Sequence, residues 1–301
     1  MFDPKIFYKT YLHDYHKFKS ILLKSVLDNS SKFEFEIFGE TLEKEDSEAF
    51  KKTLKSDLRQ TYIHSIETFF EIFFTLAPSE KLEFDDLNVL FNLTNSKWQI
   101  NYEKIKKIAS GEMSLDFLTN KIDFHGNEIT IGHYLFYYGL FENKGIPELF
   151  DKVAQSIEAI KHGIKIIAKD FTDRDEYNSY KHGLRIIPAM SELMLIDPNT
   201  KEVNLKWDLN DSMSFFCKTQ NEHEVKIKTK VFDSNRDFHL INFCSNMISN
   251  MICTRKVSFY KKDFVEKKEK IAIGFFGKEE IDDCNKIHVE IQDIVYTVTR
   301  Q

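Results

Sequence analysis

Apolar residues recur every three to four positions over most of residues 1–195, and this spacing predicts amphipathic helices. The longest of them starts near Asp46 or Ser47, either of which can cap it, and ends before Pro78. Further helices are predicted over 5–28, 84–93, 98–109, 129–142, 147–169 and 174–187. The first 195 residues are therefore predicted to form a helical bundle.

The pattern changes to alternation of apolar and polar residues after the turn signal at 197–199. Alternation is clearest over 224–231 and returns over 286–300, while a helix is predicted over 236–255. Residues 196–301 are therefore predicted to form a smaller α+β region. Since no Gly/Ser-rich or Pro-rich linker precedes it, the two regions can pack as one unit.

A short alternating run also occurs within the helical part of the chain. Phe33, Phe35 and Ile37 alternate with Glu34 and Glu36, and this run predicts a strand.

Composition excludes several classes of protein. The chain has 301 residues, of which 42% are hydrophobic and 30% charged, so it is expected to fold rather than remain disordered. Its net charge of −6 excludes a generally basic nucleic-acid coat. Without a long apolar stretch or a secretory signal, no membrane association is expected, and the predicted location is the cytoplasm.

Motifs for metals and cofactors do not occur in the sequence. The four cysteines form no C-x-x-C pair, which favours reduced thiols over a disulfide or zinc framework. Walker A, G-x-G-x-x-G, H-E-x-x-H and G-x-S-x-G patterns are also absent. The sequence therefore predicts no metal and no cofactor.

One helix presents a cationic ridge. Four polar or cationic side chains fall on one side of the helix predicted over 174–187: Asn178, Lys181, His182 and Arg185. Arg174 lies one turn earlier. Arginine, lysine and histidine together suit a phosphate, which makes the ridge a candidate RNA-binding site. The alternative is a helix face that is solvated or pairs with carboxylates such as Asp173, Asp175 and Glu176.

A second candidate is the R-x4-H spacing of Arg59 and His64 on the long helix. Arg59 projects towards the apolar stripe of this helix, and His64 lies about 140° away around its axis. A buried guanidinium needs partners, because an unpaired charge in a core is costly. A bound phosphate could be such a partner, and so could a carboxylate on a neighbouring helix.

The R-x4-H spacing in an all-helical region resembles the HEPN superfamily, and so does the stretch from Tyr177 to Arg185. The resemblance covers about residues 44–190, and Gln60 follows the arginine where the family usually has Asn, Asp or His. It implies a dimerising helical bundle, and many members are metal-independent endoribonucleases of toxin–antitoxin and phage-defence systems. Arg59 would then stabilise the phosphate in the transition state, and His64 would act as general acid and base.

Two functions therefore fit the sequence. The first is a cytoplasmic, homodimeric, HEPN-like protein that binds RNA and cleaves it without metal, in bacterial defence or stress. The second is a non-catalytic helical interaction or sensor protein, in which Arg59 and His182 satisfy structural partners. In the second case, the Phe-rich part of the long helix packs a core or a dimer seam.

Overall fold

The structure is a computed structural model, and it describes residues 3–78, 83–140, 147–181, 186–188, 192–197, 199–208, 212–219, 221, 223–231, 233–262, 266, 270–286 and 294–299. In this part of the chain the fold is mostly helical with a smaller α+β part, as the sequence predicts.

The helices, in chain order, are α1 (Ile6–Thr10), α2 (Tyr15–Asp28), α3 (Ser30–Phe38), α4 (Lys44–Leu76), α5 (Val89–Thr94), α6 (Trp98–Ser110), α7 (Ile131–Phe136), α8 (Pro147–Phe171), α9 (Arg174–Lys181), α10 (Ser234–Phe259) and α11 (Lys278–Asn285). The strands are β1 (Lys121–Phe124), β2 (Asn127–Thr130), β3 (Ile186–Pro188), β4 (Glu192–Ile196), β5 (Val203–Asp208), β6 (Ser212–Lys218), β7 (Glu224–Val231) and β8 (Ile294–Thr299).

The chain forms two compact units, each assembled from three separate segments. Unit 1 contains residues 1–19, 62–172 and 239–285, and unit 2 contains residues 20–61, 173–238 and 286–301. The predicted sequential division into 1–195 and 196–301 does not coincide with these units, because segments distant in sequence contribute to each of them.

Aromatic residues of α4 form the centre of the unit 1 core. Phe69, Phe70 and Phe73 are buried, and the rings of Phe69 and Phe73 stack with centroids 5.5 Å apart. Phe73 also stacks on Phe136 of α7 at 6.1 Å. These offset pairs add to the stabilisation that comes from burying the rings. The Phe-rich end of α4 is therefore core in unit 1.

A buried arginine connects several segments of unit 1. The Arg255 side chain is fully buried, and its Nε donates a hydrogen bond to Asp86 Oδ1 at 2.6 Å. Its other donors bond to the backbone carbonyls of Leu135, Met251 and Tyr134 at 2.9–3.3 Å. The guanidinium also lies 4.8 Å from the ring centroid of Tyr138, so the cation has acceptors and an aromatic face around it.

Unit 2 contains an antiparallel sheet of four strands in the order β3-β6-β7-β8. Its register pairs Phe215 with Lys228 and Ile227 with Tyr296. β7 corresponds to the predicted strand over 224–231, and β8 lies within the alternating run at the end of the chain. Among the described residues, the remaining strands form two hairpins: β4 pairs with β5 in unit 2, and β1 pairs with β2 in unit 1.

Several local predictions from the sequence are wrong. The helix predicted over 5–28 is divided into α1 and α2, the one predicted from residue 84 begins only at Val89, and the one predicted from residue 129 ends at Phe136. Residues 33–37 lie in helix α3 and not in a strand, and the helix lets Glu34 point inward and accept a hydrogen bond from Ser47 Oγ. The helix predicted over 174–187 does not continue to its last residues, because Ile186 to Pro188 pair with β6 as strand β3. At 186–188, pairing with β6 outweighs the local helical pattern.

No helix in the described part of the chain combines the length and the apolar character needed to cross a bilayer.

Close packing at Gly163 of α8 gives a test of the unit 1 core. A Cβ at this position would lie 2.2 Å from the ring of Phe243, whereas a Cβ at Gly274 would have no neighbour closer than 3.7 Å. We expect Gly163→Ala to lower the free energy of unfolding by about 1–3 kcal/mol, although alanine is the better helix former. Gly274→Ala should change it by less than about 0.5 kcal/mol. Urea titrations of both variants measure this, and equal stabilities would contradict the packing.

Candidate functional site

Arg59 of α4 lies in the interior of unit 2 and is held by two carboxylates. Only 4% of its surface is exposed. Its Nε and Nη2 donate to the two oxygens of Glu176 on α9, and Nη1 donates to Asp237 Oδ1 at 2.8 Å. The bidentate pair with Glu176 matches the planar fork of a guanidinium, which a lysine could not reproduce. This is the carboxylate-paired arrangement that the non-catalytic alternative predicts.

The two carboxylates respond differently to burial. Burial alone would raise the pKa of Glu176, but the charges of Arg59 and Lys230 hold it below its ordinary value. For Asp237, burial outweighs the attraction of Arg59 and raises the pKa. Oδ2 of Asp237 is buried with no hydrogen-bond partner among the described residues. Glu176 is therefore the stronger anchor of Arg59.

Three lysines on one face of β7 extend this network. Lys226 pairs with Asp175 at 3.1 Å, and Lys228 pairs with Asp173 at 2.6 Å. Lys230 bridges Asp173 at 3.3 Å and Glu176 at 3.0 Å. The polar face of β7 is thus turned towards the acidic start of α9. With Arg59 and Asp237 included, these ion pairs join four cations to four carboxylates.

Neutral contacts fix the position of α9 beside this network. Tyr177 and Tyr180 are buried, and the Tyr180 ring lies edge-on to Phe215 of β6 with centroids 5.8 Å apart. Ser56 Oγ donates to the Tyr180 hydroxyl at 3.4 Å. Burial raises the pKa of Tyr180, so this hydroxyl stays neutral. Both tyrosines therefore belong to the core of unit 2.

The predicted cationic ridge lies largely outside the described residues. Arg174 and Lys181 are the first and last residues of α9, but their side chains are not described. Asn178 is half-buried in α9, and His182 and Arg185 lie outside the described residues. The phosphate-binding role of these five residues stays a prediction.

His64 is half-buried on α4, and its backbone carbonyl accepts a hydrogen bond from Thr68 Oγ1 at 2.9 Å. It belongs to unit 1, whereas Arg59 belongs to unit 2. Its role as general acid and base stays a prediction. Among the described residues, no group of three or more His, Cys, Asp and Glu side chains could hold a metal ion.

Sequence reasoning missed Asp237, which lies 178 positions from Arg59 and carries no local signal. The sequence indicates Glu176 only as a possible partner of the ridge. The signal that singles out Arg59 is the scarcity of arginine, which makes up six of the 42 basic residues. Arg255 could have been found in the same way.

Unit 1 also contains a cavity of about 1090 Å³, lined by Phe73, Phe74, Phe117 and Ile131 together with polar side chains such as Asn92 and Lys104. Neither Arg59 nor His64 is among the described residues that line it.

Glu176 and Asp237 are expected to contribute unequally to holding Arg59, and substitution of each carboxylate tests this difference. Glu176→Gln leaves an amide group against the guanidinium and should lower the free energy of unfolding by about 3 kcal/mol. Asp237→Asn keeps an acceptor for Nη1 and should cost about 1 kcal/mol. Urea unfolding at pH 7 measures both variants, and an Asp237→Asn cost equal to that of Glu176→Gln would contradict the assignment.

The pH dependence of the same variant follows from the direction of the shift. A carboxyl whose folded pKa is lowered contributes stability above its unfolded pKa, here 4.5, and this stability is lost as the pH falls. The stability gap between the wild type and Glu176→Gln should therefore narrow below about pH 4.5. A gap that widens towards acid pH would reverse the expected sign.

Comparison with known proteins places the chain in no family: no family model, no curated protein and no solved structure matches it.

Proposed function

We propose that the protein is a non-catalytic interaction protein that associates with a second copy of itself through α2. The first support is the state of Arg59, whose fork is occupied by Glu176 and Asp237 inside unit 2. A guanidinium held in this way is a structural element, and a phosphate would have to displace two buried carboxylates to reach it. The proposal keeps the predicted cytoplasmic location, which the four free cysteines favour.

The observation that carries the proposal is the outward face of α2. Phe18, Ile21 and Leu22 have exposed fractions of 66%, 42% and 63%, and Ser25 continues the same face. Ser20, in contrast, is fully buried. The four outward residues lie on one continuous helix at i, i+3, i+4 and i+7, so helix geometry alone places them together. A helix face that meets only solvent usually carries polar side chains, whereas this face carries apolar ones.

The sizes of the side chains along the outward face of α2 favour a second copy of this chain as the binding partner. In an antiparallel pair of α2 helices centred between residues 21 and 22, Ile21 lies opposite the partner's Leu22. The same register places Phe18 opposite the partner's Ser25, so a large side chain meets a small one. None of these four residues is charged, so the centre of the pair brings no like charges together.

The area of the face sets the expected strength of association. With the exposed Tyr15 included, the apolar side chains present on the order of 400–500 Å² per copy, and two copies would bury roughly 800–1,000 Å². This is smaller than the roughly 1,200–2,000 Å² of standard specific interfaces, so the expected dimer is weak and reversible, with a dissociation constant of about micromolar or above.

Sedimentation velocity between 1 and 100 µM, as a rough range, tests this pairing. The wild type should shift from monomer to dimer, and Phe18→Glu should remain monomeric because it would bury an unpaired charge. Phe91→Glu is the matched control, since Phe91 on α5 is exposed to a similar extent, 63%. It should dimerise like the wild type.

Three outcomes would contradict the pairing. They are a monomer at all concentrations, dissociation by Phe91→Glu instead of Phe18→Glu, and sedimentation of the wild type with phosphatidylserine vesicles that Phe18→Glu abolishes. The last would assign the face to a lipid surface.

Ribonuclease activity is tested separately. We expect structured and single-stranded RNA to remain intact with the purified protein in EDTA, and His64→Ala to behave like the wild type. Gel electrophoresis of the RNA measures this. Fragments that the wild type produces and His64→Ala does not would support the HEPN-like ribonuclease and overturn the non-catalytic proposal.

A further inference from the structure

Unit 1 contains a cysteine–histidine pair that the proposed self-association does not use. Cys253 lies on α10, and His13 lies in the turn between α1 and α2. Cys253 Sγ and His13 Nε2 are 3.3 Å apart, within hydrogen-bond distance. Ser249 Oγ lies 3.6 Å from the same sulfur. The thiol is thus enclosed by groups that can donate hydrogen bonds to it.

The contacts of the imidazole define where its protons lie. Nδ1 is 3.3 Å from the Tyr11 carbonyl oxygen, and because a carbonyl only accepts, Nδ1 must carry a hydrogen. Nε2 faces both Cys253 Sγ and Asp14 Oδ2, the latter at 3.2 Å. A proton on Nε2 is therefore shared between a carboxylate and the sulfur, an arrangement that stabilises an imidazolium beside a thiolate.

Charges around the pair act in the same direction. Burial would raise the pKa of Cys253, but the hydrogen bonds from His13 and Ser249 and the charges of His13 and Lys256 lower it below the ordinary thiol value. Conversely, the hydrogen bond with Cys253 raises the pKa of His13, to which Asp14 adds.

The other three cysteines provide an internal contrast. Burial raises the pKa of Cys217 to about 11 and that of Cys244 to about 12. Burial and the nearby charges of Asp283 and Glu280 also raise the pKa of Cys284. Cys284 is more exposed to solvent than Cys253, but only Cys253 has a lowered pKa. A comparison of these two thiols therefore distinguishes the effect of exposure from the effect of the pKa.

We propose that Cys253, paired with His13, is a modification site at which small hydroperoxides oxidise the thiol to a sulfenic acid. The thiolate attacks one peroxide oxygen, so that an S–O bond forms while the O–O bond breaks. Sulfur is oxidised by two electrons, and the peroxide is reduced. The departing hydroxide, or alkoxide from an alkyl hydroperoxide, takes the proton from His13 Nε2 and leaves as water or an alcohol. Cys253 is 7% exposed, which suits an oxidant close to water in size.

The test is a time course with hydrogen peroxide at pH 7, in which each sample is denatured in the presence of dimedone before peptide mass spectrometry, so that labelling reports the sulfenic acid formed in the folded protein. Cys253 should be labelled at least about tenfold faster than Cys284, because reactivity follows the thiolate and not exposure alone. Faster or equal labelling of Cys284 would overturn the proposal. Since this comparison uses the wild-type chain, it holds even if a variant fails to fold.

Substitution of the histidine tests the partner. His13→Gln should slow labelling of Cys253 by about tenfold and leave the rate at Cys284 unchanged. His16→Gln is the matched control, because the His16 imidazole bonds to Thr68 Oγ1 and not to the sulfur. An unchanged Cys253 rate in folded His13→Gln, or an equal loss in His16→Gln, would contradict the role of His13.

Discussion

A guanidinium removed from water must have its hydrogen-bond donors satisfied and its charge balanced, and this requirement organises unit 2 around Arg59. Glu176 supplies two acceptors and Asp237 a third, so α4, α9 and the start of α10 converge on a single side chain. Lys230 approaches Glu176 from β7 and brings the sheet into the same network. Such an arrangement specifies which segments meet, since removing any partner leaves a buried charge unbalanced.

Arg255 follows the same rule in unit 1 with a different set of partners. One carboxylate, backbone carbonyls and two tyrosine rings surround it. Two of the six arginines are thus fully engaged inside the protein. The scarcity of arginine in this chain therefore points to positions that need a guanidinium. At these two positions the guanidinium is buried and has a structural role. This is why the spacing of Arg59 and His64 does not by itself support catalysis.

Much of the fold follows from the sequence because its signals are local. The apolar period predicts α4, proline at the first turn predicts the start of α8, and alternation predicts β7. The error at residues 186–188 arises where pairing with a distant strand decides the structure. The sequence also indicates that Arg59 is buried and needs partners. Asp237 could not be found from it, because no local pattern links positions 178 residues apart.

The outward face of α2 shows a similar limit. Helical spacing predicts an amphipathic helix there, but spacing does not say which face meets the core. Burial of Ser20 and exposure of Phe18 and Leu22 are properties of the folded chain. A surface for a partner can thus have the same sequence pattern as a core stripe, and only the structure distinguishes them.

Closure of the Arg59 fork within the protein can be measured from the ¹⁵N Nε–H resonance of this side chain. With only six arginines, its resonance can be assigned by its loss in Arg59→Lys. We expect slow exchange of this proton with water and no change in its position when RNA or inorganic phosphate is added. Rapid exchange, or a shift on titration with either ligand, would show that the guanidinium is available to an anion and is not held closed by Glu176 and Asp237.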